Sequence, residues 1–295
     1  MDTLPPTPTK SRLLKSFFSS KTARMASALL FLLVLSSLAA GWLSPQNPYD
    51  LAQVSFADAE QAPGAMSHDG KLFFLLGTDG AGRDLFSAIL YGLRISLFIG
   101  ISSALTALLI GTAIGLAAAY FGGKFDAFIM RIVDFQLSIP AILVALILLA
   151  ALGQGIDKTL IALILVQWAY FARHVRASAS VERRKEYIEA AMSQALPART
   201  IMFRHILPNC AGSLIVTATL QMAHAISLEA TMSFLGLGLP QTEPSLGLLI
   251  ANGFDYLLSN QYWISVFPGI ALMLLIGTIN LLGDRLRIVV NPKTE

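Results

Sequence analysis

Apolar residues gather in six runs along the chain, over residues 25–43, 95–119, 129–152, 159–173, 210–231 and 263–283. About 20 residues of helix cross a hydrocarbon core roughly 30 Å thick, so the pattern predicts six transmembrane helices. The second run carries Gly100, Gly111 and Gly115 among Ala and Ser, small residues that let helices approach closely in lipid. The third contains Pro140, which predicts a kink. Two long polar intervals, residues 44–93 and 174–209, separate the runs.

The second interval has a period of its own. Ile188, Ala191, Met192 and Ala195 stand at i, i+3, i+4 and i+7, one face of a helix. Leu196-Pro197 breaks this pattern, and proline is tolerated at the first position of a new helix because that N–H would be unpaired anyway. A second short helix is predicted over residues 198–207, with Pro208 opening the next apolar run. Two short helices joined by a tight turn, held between two spans, offer a face to something outside the membrane.

Composition agrees with the pattern. Of 295 residues, 55% are hydrophobic and only 13% charged, where a soluble domain has about 25% charged. A soluble core could not cover that much apolar surface, so the chain reads as an all-α integral membrane protein. The single cysteine, Cys210, excludes an internal disulfide and has no metal-ligand companions. Residues 1–24 form a basic tail, in which Leu13, Leu14, Phe17 and Phe18 allow a helix on the membrane surface. Its first role is the positive flank of the anchor at 25–43. Ser37-Leu38-Ala39 mimics a signal-peptidase site, but the long basic tail and the later spans predict an uncleaved anchor.

Charge then orients the chain. The tail, Lys124, Arg131, the interval 174–209 with Arg173, and the end segment 285–295 together hold 17 of the 21 Lys and Arg. The remaining four are Lys71, Arg83, Arg94 and Lys158, and residues 232–262 contain none. The positive-inside rule places both termini and the second polar interval in the cytoplasm, and residues 44–93 outside.

Three motifs in order resemble those of importer permeases of ATP-binding-cassette transporters, over about residues 11–287. Glu189-Ala190-Ala191, followed after a spacer by His205-Ile206-Leu207-Pro208, is similar to the signature loop of that family. Gly77-Thr78-Asp79 with Gly82-Arg83-Asp84 and Ser87 resembles the motif before the second span in the dipeptide, oligopeptide and nickel branch, the C-type subunit. Ser227 to Gly238, containing Glu229, resembles a stretch shared by permeases of different substrates. The resemblance implies a type I importer permease fold in a bacterial inner membrane, with a cytoplasmic coupling loop that docks into an ATPase. It implies Glu189, Ala190, Ala191, Ala195, His205, Leu207 and Pro208 as coupling residues. It also implies a second homologous permease chain, two cytoplasmic ATPase subunits and an external solute-binding protein, alongside membrane lipid. No nucleic acid, cofactor, metal or catalytic residue is expected. The family usually carries Gly where this chain has Ala195; Ala keeps a helix going, which predicts a turn slightly later, at Pro197.

Other polar residues have plainer expectations. In the motif at 77–84, Asp beside Gly satisfies its own backbone and Arg83 stands between two carboxylates, so a structural knot is favoured over a substrate site. Asp134 is expected to pair with Arg131 at i, i+3. Glu229 falls near the external end of its span with His224 deeper, and both are gate or pore candidates. The main reading is a permease subunit forming half of a translocation pore for peptides or a similar small solute. No phosphate-binding G-x-x-x-x-G-K-[ST] motif occurs, so ATP hydrolysis belongs to a partner. The competing reading is an ion-gradient-driven secondary transporter using Glu229 and His224. An intramembrane hydrolase would need a G-x-S-x-G or H-E-x-x-H motif, and neither is present.

Overall fold

The structure is a computed structural model that describes residues 10–50 and 52–290; residues 1–9 and 291–295 of the two expected tails lie outside the described residues. Helix α1 (Lys10–Ser19) precedes α2 (Lys21–Leu38) and the single turn α3 (Ala40–Leu43). Ser20 caps α2 by accepting from the Ala23 N–H, satisfying one of the donors left open at a helix start. The first polar interval is mostly turns, held by an antiparallel pair, β1 (Ala65–Met66) and β2 (Phe73–Phe74).

The remainder is helical. It runs through α4 (Leu85–Phe121), α5 (Gly123–Ser138), α6 (Ala141–Leu152), α7 (Ile156–Arg183), α8 (Glu186–Ser193), α9 (Ala198–Thr200), α10 (Leu207–Phe234), α11 (Leu246–Phe254) and α12 (Trp263–Val290). Among the described residues, α2, α4, the continuous stretch Ala198–Phe234 and α12 are long and apolar enough to cross a membrane alone. The pair α5 and α6 makes a fifth span if counted together, although it bends by 87°. The bend falls at Ile139-Pro140, where proline removes a helical donor and disfavours a helical conformation in the residue before it. The chain is thus all-helical apart from the short ladder, with four or five apolar spans.

Close crossing of α4 and α7 sets the centre of the bundle. A side chain at Gly111 would stand 2.5 Å from Phe171 Cβ and 2.6 Å from the Trp168 carbonyl oxygen. The Ala172 backbone leaves as little room at Gly115. Only glycine permits that approach, which lipid does not oppose and backbone packing rewards. At one end, Leu85, Ala88, Leu93, Leu246, Trp263 and Ile279 belong to a core uniting α4, α11 and α12. At the other, Leu116, Val175, Ile188, Ala191, Ile201 and Ile206 form a separate core that includes α8.

The charge-rich segments meet at the α8 end. Arg285 donates to the Ser16 carbonyl at 2.6 Å and to Ser19 Oγ at 3.0 Å, joining α12 to α1. A side chain on Gly212 would meet Val290 at 2.8 Å, so the last turns of α12 lie beside the start of α10.

Three expectations about this end are corrected. First, no separate helix ends at Leu207. Residues Ile201–Ile206 form a π-helix that joins α9 to α10 without a break, and the Leu207 N–H bonds the Met202 carbonyl five residues back. Pro208 sits in the first turn of α10 with no N–H and a ring that crowds the carbonyl four residues earlier, and the widened turn makes room for it. Second, the turn falls at Ala195 itself, which has φ +54°, not later at Pro197. Ala195 N–H bonds Met192 O at 2.9 Å and Leu196 N–H bonds Ala191 O at 3.3 Å, the closing bonds of a helix that ends in a left-handed residue. Third, Asp134 pairs with Arg173 of α7, not with Arg131. Antiparallel neighbours α5 and α7 bring Asp126 to Arg176 in the same way, and an inter-helix guanidinium outcompetes one on the same helix.

The left-handed Ala195 gives a prediction. A non-glycine residue there costs on the order of 1 kcal/mol. Ala195→Gly is expected to raise the midpoint of thermal aggregation of the detergent-purified protein by a few degrees, an increment of about 0.5–1 kcal/mol. An unchanged or lowered midpoint would show that Ala195 is unstrained.

Candidate functional site

Helix α8 is short and two-faced. Ile188 is fully buried and Ala191 nearly so, which fastens the helix to the bundle; burying one Ile side chain contributes about 2 kcal/mol. Glu189 and Ala190 point outward and are exposed, as is Ala195. The signature triplet is therefore divided, with Ala191 an inward anchor and Glu189 and Ala190 the outward face. Glu189 makes no ion pair among the described residues, and its side chain borders a cavity of about 430 Å³ lined with arginine.

A polar clasp holds α8 against the start of α10. The Tyr187 hydroxyl donates to Glu182 Oε1 and accepts from Asn209 Nδ2 at 3.1 Å. Asn209 Nδ2 also donates to the His205 carbonyl at 2.7 Å, and Lys185 Nζ pairs with Glu182 Oε2 at 2.6 Å. Partial burial and the Glu182 carboxylate push the Tyr187 hydroxyl up to about 12, so it stays protonated as a donor. His205 takes part through its backbone. Leu207 packs against the apolar cluster, and Pro208 is exposed in the first turn of α10. Glu182, Tyr187 and Asn209 carry no signal in the sequence beyond the three-residue spacing of Glu182 and Lys185, because the clasp joins separate segments.

The motif at residues 77–84 folds into a tight knot. Asp79 Oδ1 accepts from the N–H groups of Ala81 (2.9 Å) and Arg83 (3.0 Å), and Oδ2 accepts from Arg83 Nε at 2.8 Å. Arg83 pairs with Asp79 alone, not with both carboxylates. Asp84 instead caps α4, accepting from Ser87 N at 2.8 Å and Ser87 Oγ at 2.5 Å. Burial pushes the Asp84 carboxyl above its ordinary value despite those two bonds. Gly77 and Gly82 adopt φ +80° and +83°. A side chain on Gly77 would strike the Gln61 carbonyl, and one on Gly82 the Ser55 carbonyl. Thr78 ties the knot outward, donating to Asp58 O at 2.6 Å and accepting from Gln61 N at 2.7 Å.

Glu229 and His224 are not brought together. Glu229 is fully buried. Ser233 Oγ donates to its Oε1 at 2.8 Å and Ser96 Oγ to its Oε2 at 3.2 Å. These serines come from α10 itself and from α4, so the carboxyl ties these two helices together. His224 is on another face of α10 and is exposed. It stacks edge-on with Tyr170 at 6.2 Å and borders a cavity of about 310 Å³ with Thr217 and Gln221. Ser233, four residues after Glu229, was legible as a partner; Ser96, on another helix, was not.

The fold is that of a multi-pass helical membrane protein with one outward-facing short helix. Residues 111–295 match the family described as the inner membrane component of binding-protein-dependent transport systems. A putative peptide transport system permease protein of Brucella suis is 40% identical, the match covering 93% of this chain and 89% of that one. The di/tripeptide transport system permease protein of Pseudomonas aeruginosa is 35% identical, and the dipeptide transport system permease protein of Escherichia coli 36%, each over 95% of this chain and 91% of the relative. A chain of the inward-facing MetNI methionine ABC transporter superposes with TM-score 0.58 at 20% identity, covering 70% of this chain and 97% of that one. This chain belongs to the family of binding-protein-dependent transport system inner membrane components, and it is a multi-pass permease subunit.

Proposed function

We propose that this chain is one of two homologous subunits of the pore of an ATP-driven importer for peptides or a similar small solute. The relatives named for peptide, dipeptide and di/tripeptide transport support the substrate class. In this reading the pore has six spans, with the bent pair α5–α6 as one and α7 as another. Both termini and α8 face the cytoplasm, the knot at Gly77, Asp79, Gly82, Arg83 and Asp84 is an external structural element, and an external binding protein delivers cargo. One of the two ATPase subunits takes hold of Glu189 and Ala190 of this chain, with His205, Leu207 and Pro208 forming the stem behind them. ATP-driven closure of the ATPases then moves α8, which moves α10 through the Tyr187–Asn209 clasp.

The observation that carries the proposal is the two-sided α8. Ile188 and Ala191 are locked into the bundle core while Glu189 and Ala190 stand free at the end where the basic segments meet. A helix that only rested on a membrane would turn its apolar side to lipid, not into its own bundle. Glu229 is enclosed and His224 is exposed on another face, so the two do not form the pair that the ion-driven alternative calls for.

Two experiments test this. Single cysteines at Ala65 and Thr242 are expected to react with an impermeant thiol reagent added outside, and one at Thr200 is not; labelling at Thr200 from outside would overturn the orientation. Cells lacking this chain are expected to lose ATP-dependent uptake of labelled di- and tripeptides and to regain it on complementation. Unaltered peptide uptake would remove the substrate assignment.

A further inference from the structure

Between the end of α4, the start of α5, the end of α7 and α8 lies a polar cavity of about 430 Å³. Its charged and hydroxyl groups are Asp126, Arg176, Ser180, Arg183, Arg184 and Glu189. Arg176 spends its charge on Asp126, through two hydrogen bonds. Arg183 and Arg184 have no carboxylate partner among the described residues. Arg183 is nonetheless held in place, with its guanidinium 5.8 Å from the centre of the Tyr120 ring and its Nη1 against Gly122, 3.3 Å from where a side chain on that glycine would begin. A cation already positioned by an aromatic face loses little freedom when it takes a ligand. Gly122 and Gly123 form the opposite wall, where α5 begins without a capping side chain. Once the Asp126–Arg176 pair is set aside, the lining carries two guanidinium groups against the single carboxylate of Glu189.

The surroundings place this cavity at a membrane boundary. The apolar part of α4 ends just before Gly122, and Phe121, Phe125 and Phe128 flank the glycine pair with 60%, 45% and 64% of their surfaces exposed. Exposed aromatic rings beside fixed cations form a boundary with acyl chains on one side and head groups on the other. A phosphate oxygen at that depth can accept from both guanidinium groups.

We propose that this cavity is a binding site for a phosphate-bearing anion, with the head group of an anionic phospholipid as its natural source. Bound there, the phosphate neutralises Arg183 and Arg184, whose charge the cavity otherwise sets against the single carboxylate of Glu189. The binding does not depend on the coupling role proposed for Glu189.

The test uses the full-length protein purified in mild detergent with mixed lipids, with retained lipid read by native mass spectrometry. Wild-type protein is expected to retain phosphatidylglycerol over phosphatidylcholine. Arg183→Gln combined with Arg184→Gln is expected to reduce that retention about thirtyfold, each interfacial cation accounting for roughly fivefold. Arg131→Gln, at the same end but outside the cavity, is expected to change nothing, and Arg184→Gln alone tests the site should the double variant fail to accumulate. Glu189→Gln, which removes the opposing carboxylate, is expected to raise retention about fivefold. A second arm uses the protein in phosphatidylcholine nanodiscs with added inorganic phosphate. Stabilisation there that is lost in Arg184→Gln, without lipid selectivity, keeps the anion site and assigns it to soluble phosphate. Equal retention of both lipids with no phosphate effect, or identical behaviour of wild type and arginine variants, overturns the proposal. Neither result bears on whether Glu189→Lys blocks transport, so the two proposals fail separately.

Discussion

Glu189→Lys is expected to leave the permease inserted and stable while abolishing transport. The side chain is exposed and makes no ion pair among the described residues, so the exchange falls among surface substitutions that change stability by about 0.5 kcal/mol or less. Ile188 and Ala191 still anchor α8. The loss appears only when a partner is present. A carboxylate that pairs with a cation in a docking groove is partly desolvated, and reversing its charge costs a few kcal/mol, or a hundredfold or more in affinity. Three measurements should therefore change together. Co-purification of the ATPase weakens, substrate uptake falls to background, and ATPase activity no longer responds to the loaded binding protein. The protein level in the membrane should not change. Normal uptake and normal stimulation in this variant would remove α8 from the coupling path.

The same residue marks how far the sequence reached. Periodicity in Ile188, Ala191 and Met192 located α8 and its inward face, because a short amphipathic helix carries its contacts within its own spacing, while Ala195, expected on that face, is exposed beyond the helix end. Apolar runs were legible in part, since hydrocarbon thickness fixes the length of a spanning helix: of the six expected spans, four correspond to helices long and apolar enough alone and a fifth only to the bent pair α5–α6. What failed were choices between near-equal local options. Ala195 was expected to continue the helix on propensity, yet the chain must reverse there, and the Ile188–Ala191 anchor with the Leu196 N–H bond outweighs about 1 kcal/mol of backbone strain. Asp134 had an i, i+3 partner in Arg131, but α7 supplies Arg173 from across a helix pair. The join through Ile201–Ile206 was invisible because π-helical widening answers a proline two residues further on. Of the candidate sites, the knot around Asp79 was legible because its bonds are local. The surroundings of Glu229 were not, since Ser96 lies 133 residues away in sequence.

Those surroundings favour a structural role for Glu229 over contact with cargo. Ser96 of α4 and Ser233 of α10 donate to one fully buried carboxyl. Gly247 packs against the Ala230 backbone so closely that no side chain fits between α11 and α10, which leaves this joint no slack. A buried hydrogen bond contributes about 0.5–1.5 kcal/mol, and leaving one partner unsatisfied costs about 1–3. Glu229→Gln preserves volume, replaces one acceptor oxygen by a donor and is expected to cost about 1–3 kcal/mol over two bonds, whereas Glu229→Leu orphans two buried hydroxyls and should prevent accumulation. If the carboxyl acts as a joint between these helices, it serves every transport cycle and touches no cargo. Transport of all accepted substrates by Glu229→Gln should therefore fall by a similar factor, about tenfold or more for a cost above 1.4 kcal/mol. His224, exposed beside Tyr170, supplies the contrast, because His224→Ala should spare stability and alter substrates unequally if that face lines the pore. Loss in Glu229→Gln confined to one class of substrate would move the carboxyl from the joint into the path of the cargo.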